Sequence, residues 1–172
     1  MADRPTPRKT ANRRLTLLHL AGGLLAVIAV VALLLAVFWE DENAEAAIRL
    51  RPDDAALVAE GKALYATHCA SCHGAGLEGE ADWQQRKADG RLPAPPQDET
   101  GHTWHHPDAQ LFALTKHGPA ALVGGGYKSA MPAFEGVLSD REIVAVLSFI
   151  KSRWPEEIRR RHDALNEAAA AR

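Results

Sequence analysis

Cys69-Ala70-Ser71-Cys72-His73 holds both cysteines of a 172-residue chain, with a histidine directly behind the second. Two thiols separated by two residues can reach the two vinyl groups of one porphyrin, and the adjacent His73 is then forced under the iron, where its imidazole can ligate it. Three other readings compete. A Cys-x-x-Cys pair is half of a zinc cage, but a structural zinc site takes four ligands and the chain has no second cysteine pair. A thioredoxin-like redox pair belongs in a strand-rich βαβ setting, which the flanking residues do not supply. A plain disulfide suits an oxidising compartment but gives no reason for His73. The stretch therefore predicts one covalently attached haem c on Cys69 and Cys72, with His73 as an axial ligand of the iron.

Upstream, Pro52-Asp53-Asp54 gives a helix start, with acidic side chains near the positive end of the helix dipole. Leu57, Gly61, Leu64 or Tyr65, and His68 follow at helical spacing, so one face of this helix runs straight into the cysteines. Gly61 costs helix stability and suggests a close approach by another helix. Downstream, residues 74–107 are rich in Gly and Pro and lack a periodic segment, as expected of a functional loop that wraps and buries the ring. Within it, one carbonyl of Leu92-Pro93-Ala94-Pro95-Pro96 is expected to accept the Nδ1 proton of His73 and leave Nε2 for iron. Sequence does not say which carbonyl.

Asp108 is expected to cap a second helix carrying Leu111, Phe112, Leu114 and Thr115 and ending at His117-Gly118-Pro119. Gly124-Gly125-Gly126 breaks the chain again. Ser139-Asp140-Arg141-Glu142 is a capping box opening a last helix, whose Ile143, Leu147, Ile150 and Trp154 form one apolar stripe that Pro155 ends or kinks. Arg159-Arg160-Arg161 and the alanine-rich end read as a solvated, fraying extension.

Between these helices stands Met131-Pro132. Apart from Met1, Met131 is the only methionine, so any thioether ligand of the iron is this one. It lies 58 residues after His73, enough chain to encircle a porphyrin and return on its opposite face. An iron with His73 and Met131 on its two axial sides has no open position for substrate, which points to electron transfer and not to catalysis. His102, His105 and His106, with Trp104 among them, read as a solvated polar turn. As a second metal site they lack the i, i+4 geometry of a preformed pair.

The amino-terminal part has a different character. Residues 1–14 hold five basic side chains against one acidic, and residues 40–172 hold fifteen against twenty-one. The net charge of -2 implies no nucleic-acid partner. Leu15 to Trp39 is a run of 25 residues without Asp, Glu, Lys or Arg, and about 20 apolar residues suffice to span a lipid bilayer. The basic flank stays in the cytoplasm by the positive-inside rule, so all that follows Glu40 is exported. A cleaved signal peptide with an Ala44-Glu45-Ala46 site is the alternative, against which stand a run longer than the about 7 to 15 residues of a signal core and an acidic cleavage region. The expected plan is a cytoplasmic tail 1–14, an anchor 15–39, a tether 40–51, a haem domain 52–155 and a helical or frayed extension 156–172.

The order of a helix with Gly61 and Tyr65, the CASCHG motif, a proline-rich loop, Met131-Pro132 and a final amphipathic helix with aromatic residues resembles class I (mono-haem) cytochrome c of the membrane-anchored bacterial type. The likeness covers about Asp53 to Trp154. It implies an all-α cytochrome c fold, a few helices around one haem, and a crossing of the first and last helices at a Gly-aromatic contact, with Gly61, Tyr65, Leu147 and Phe149 or Ile150 as candidates. In such families the histidine loop can also hydrogen-bond haem propionates. The expectation is then a periplasmic electron carrier on the bacterial inner membrane, with membrane-bound donor and acceptor complexes as partners. Its rivals are an electron-entry subunit of a larger oxidoreductase or terminal oxidase, a haem-based catalyst or ligand sensor from which Met131 dissociates, and a copper or zinc module built on the histidine loop.

Overall fold

Asp54 opens the first helix by accepting the Leu57 amide on its side chain, 3.0 Å, and α1 then runs over Ala55–His68. The structure, a computed structural model, describes Val30, Val31 and residues 48–171. Val30 and Val31 are helical; the rest of the expected tail and anchor and most of the tether lie outside the described residues. By contact the chain divides into units Met1–Glu45 and Ala46–Arg172. The second contains every element named below. Among the described residues all regular structure is helical, and no helix is long and apolar enough to cross a membrane.

The one-turn α2, Ala70–His73, follows α1 directly, and a 3-10 turn, Thr103–His105, interrupts the long loop beyond it. Then come α3, Asp108–His117, the short α4, Pro119–Val123, α5, Asp140–Ser152, and α6, Glu156–Ala170. The capping box of α5 forms as expected, with the Ser139 hydroxyl receiving the Glu142 amide and the Glu142 carboxylate receiving the Ser139 amide. Helix α5 ends at Ser152 with Arg153 as its cap, so Trp154 packs its indole into the core from just beyond the helix.

The pairing of α1 with α5 is the most extensive contact between elements. A side chain at Gly61 would overlap the Ala145 carbonyl, so only glycine lets the two backbones meet there. One turn on, the Tyr65 ring packs against Phe149, centroids 5.4 Å apart. Ile143, Val146, Leu147 and Ile150 fill the remaining seam and are buried, each contributing roughly 1.5–3 kcal/mol by removal from water. Of the alternatives open in the sequence, Tyr65 and Phe149 make the aromatic contact. Gly61 meets Ala145.

Three expectations are corrected. Asp108 is the first residue of α3 and not its cap; Pro107 stands at the cap position. Its buried carboxylate instead accepts the Leu50 amide, 2.9 Å, and the Asn166 side-chain amide, 3.1 Å. The tether is the second. Its last residues belong to the domain, since Leu50 is in the core, Ile48 packs on it, and the Arg51 amide bonds Ser148 Oγ, 2.9 Å.

The third concerns the carboxyl-terminal extension, expected as helical or frayed, which is helical as far as Ala170 but docked and not wholly solvated. His162, fully buried, bonds the His106 carbonyl at 2.9 Å and meets Trp154 edge on. The Lys151 ammonium, buried on α5, pairs with Asp163, 2.6 Å. Arg159 pairs with Asp53 at the head of α1, 3.0 Å.

Candidate functional site

Helix α1 delivers the cysteine motif as its own continuation. The Cys69 amide donates to the Tyr65 carbonyl, 2.9 Å, and the His73 amide to the Cys69 carbonyl, 3.0 Å, so the pentapeptide is wound as a further turn. The Tyr65 hydroxyl donates to the Gly74 carbonyl, 2.8 Å, and locks the end of that turn to α1. Burial pushes the Tyr65 hydroxyl well above its ordinary pKa, which keeps it a donor.

His73 is buried, and its Nδ1 lies 2.9 Å from the Pro95 carbonyl oxygen. A carbonyl can only accept, so the bond places the ring proton on Nδ1 and leaves Nε2 with a free lone pair. Among the described residues Nε2 has no hydrogen-bond partner. Burial also lowers the His73 pKa, which favours the neutral ring, the form able to bind a metal.

Both cysteines are free thiols, Cys69 half-buried and Cys72 exposed. Burial first and the neighbouring Cys72 second push the Cys69 thiol up to about 11, so it is not a thiolate at neutral pH. That is the reverse of a poised redox nucleophile, which needs its thiol pKa lowered. Two free thiols beside an imidazole nitrogen with an open lone pair make a donor set that fits haem c.

Met131 is half-buried and packs against the same core cluster as Cys69 and Ala70. Its amide donates to Ser129 Oγ, 3.0 Å. The chain just after it is fastened to the end of α3, where the Phe134 amide reaches the Thr115 and Lys116 carbonyls at 3.2 and 3.0 Å. The Phe134 ring meets His68 edge on, centroids 6.2 Å apart. Three residues beyond Met131 the chain therefore touches the residue just before Cys69.

The histidines of the loop stack among aromatic rings. His102 lies parallel to Trp83 at 5.2 Å and edge on to His106 at 5.4 Å, while Trp104 stacks on His105 at 3.7 Å. Among the described residues no three His, Cys, Asp or Glu side chains are grouped to hold a metal ion. Sequence reasoning did not find the bond of Glu80 to the Ala94 amide or the Asp108-His162-Asn166 group, because each joins residues distant in the chain.

Residues 56–150, over half of the chain, match the family model of cytochrome c oxidase, cbb3-type, subunit III. No solved structure gives a significant match.

Proposed function

We propose a function from the premise that this chain belongs to the family of cytochrome c oxidase, cbb3-type, subunit III, and so is a class I c-type cytochrome involved in electron transfer. In this reading it is a membrane-anchored, periplasmic mono-haem carrier that passes single electrons between membrane-bound respiratory partners. The single observation that carries the site assignment is the Nδ1 bond from His73 to the Pro95 carbonyl, which leaves Nε2 as the ligating nitrogen.

Cys69 and Cys72 would hold the haem through thioether bonds, and His73 and Met131 would ligate its iron. The haem, when bound, supplies a one-electron iron couple whose potential a thioether ligand raises. Tyr65, Pro95 and the α1–α5 seam hold the imidazole in place. The charge-free run Leu15 to Trp39 supports the anchor, which would keep the domain near its partners at raised effective concentration.

Met131→Ala tests the reading. The oxidised protein should lose the weak charge-transfer band of iron bound to sulfur, its potential should fall, and the reduced form should bind carbon monoxide faster. An unchanged oxidised spectrum and potential would remove Met131 from the iron. A second reading, an electron-entry subunit of a larger oxidase, is favoured by the family's description. Stable co-purification with oxidase subunits from mildly solubilised membranes would select it.

A further inference from the structure

In the segment Pro93-Ala94-Pro95-Pro96 three residues have no amide proton, so Ala94 carries its only backbone donor. Glu80 takes it. Its Oε2 receives the Ala94 amide at 2.6 Å, while its own backbone amide donates to the Ala94 carbonyl at 2.8 Å. The Ala94 peptide groups are thus held on both sides by one residue, and the next carbonyl along is the Pro95 oxygen on His73 Nδ1.

The clasp is braced from two directions. Lys87 Nζ holds the other carboxylate oxygen, Oε1, at 3.0 Å, and the Lys87 amide reaches the Arg91 carbonyl, 2.8 Å, to close the loop between. On the motif side the Gly79 amide donates to the His73 carbonyl, 2.8 Å. Glu80 therefore follows a residue tied to His73 and itself grips the residue before Pro95. The Ala94 amide, then Lys87, hold its carboxyl below the usual carboxylate range, so it is ionised at neutral pH.

We propose that Glu80 is a positioning residue that sets the strength of the Pro95–His73 hydrogen bond and, through it, the reduction potential of the bound haem. The inference rests on His73 being the axial ligand. A carbonyl held firmly against Nδ1–H makes the imidazole a more basic ligand and favours oxidised iron. Slackening the clasp weakens that bond and raises the potential.

Two mild substitutions in the full-length holoprotein separate reach from charge. Glu80→Asp keeps the charge but shortens the side chain below the reach to Ala94, and Glu80→Gln keeps an oxygen within reach but loses the charge. The proposal expects Glu80→Asp to raise the potential in a redox titration and to speed exchange of the His73 Nδ1 proton in NMR of the reduced protein. Glu80→Gln, which keeps the Ala94 bond but gives up the Lys87 brace, should shift less than Glu80→Asp in both. A potential shift in Glu80→Gln alone, or no shift in either variant, overturns it. His73→Ala separates the underlying reading: if the low-spin spectrum survives that change, His73 is not the ligand, whereas its loss beside inert Glu80 variants refutes the role of Glu80 alone.

Discussion

His73 and His162 lie in different regions of one domain, both buried, both bonded to a backbone carbonyl at 2.9 Å and both with a lowered pKa. At His73 the carbonyl takes Nδ1 and Nε2 is left open. At His162 the carbonyl of His106 takes Nε2, and Nδ1 faces the Asn166 side-chain amide at 3.4 Å. One ring keeps an open lone pair, while the other engages both nitrogens, one on the His106 carbonyl that docks α6 and one on Asn166 a turn along the same helix. Burial does not distinguish the two histidines; the nitrogen left uncapped does.

The sharpest way to break the first region is Gly79→Ala. Gly79 has φ of +69°, and an added Cβ would stand 2.5 Å from the Pro96 nitrogen. Left-handed strain and a clash with backbone together should cost about 3 kcal/mol in urea denaturation. A loss under about 1 kcal/mol would mean that the backbone between Gly79 and Pro96 yields freely.

The second region should give way less. Asp108→Ala strips the Leu50 amide and the Asn166 side chain of their acceptor at a site only 4 % exposed, an expected loss of about 2 kcal/mol. An unchanged urea midpoint would mean that the α6 docking does not depend on this carboxylate.

A pH series resolves the smallest effect. Burial, then the Lys151 ammonium, lower the His162 pKa, outweighing the His106 carbonyl and the Asp108 and Asp163 carboxylates that favour the charged ring. A depressed folded pKa means the unfolded chain binds the proton first. The stability this histidine provides is complete above about pH 6.5 and is lost as pH falls from there through the folded value, by at most about 1.4 kcal/mol per pH unit. His162→Gln should flatten the pH dependence of the urea midpoint by that amount. Equal slopes in the two proteins would show that His162 titrates freely in the folded state.

The same contrast explains what could be read from sequence. Cys69, Cys72 and His73 fall within five residues and the Ser139 capping box announces itself by spacing, so the motif and that helix were legible, while the crossing of the first and last helices was implied by the resemblance. The Pro95 carbonyl was narrowed to a segment but not chosen, because five carbonyls of similar chemistry lie there and only the Glu80 grip on Ala94 selects one. His162 looked like part of a charged tail because its partners, His106 and Asp108, are more than 50 residues away. Leu50 was lost among the polar residues of an expected tether for the same reason: its amide partner is 58 positions on.

That anchoring of Leu50 and Arg51 has a mechanical meaning. Four residues, Ile48 to Arg51, are withdrawn from the slack of the incoming chain, shortening its reach by roughly 14 Å. A pull on the segment before them is borne first by the bonds to Asp108 Oδ2 and Ser148 Oγ. The load would pass into α3 and α5 before it reached α1, and so away from the pentapeptide that α1 carries.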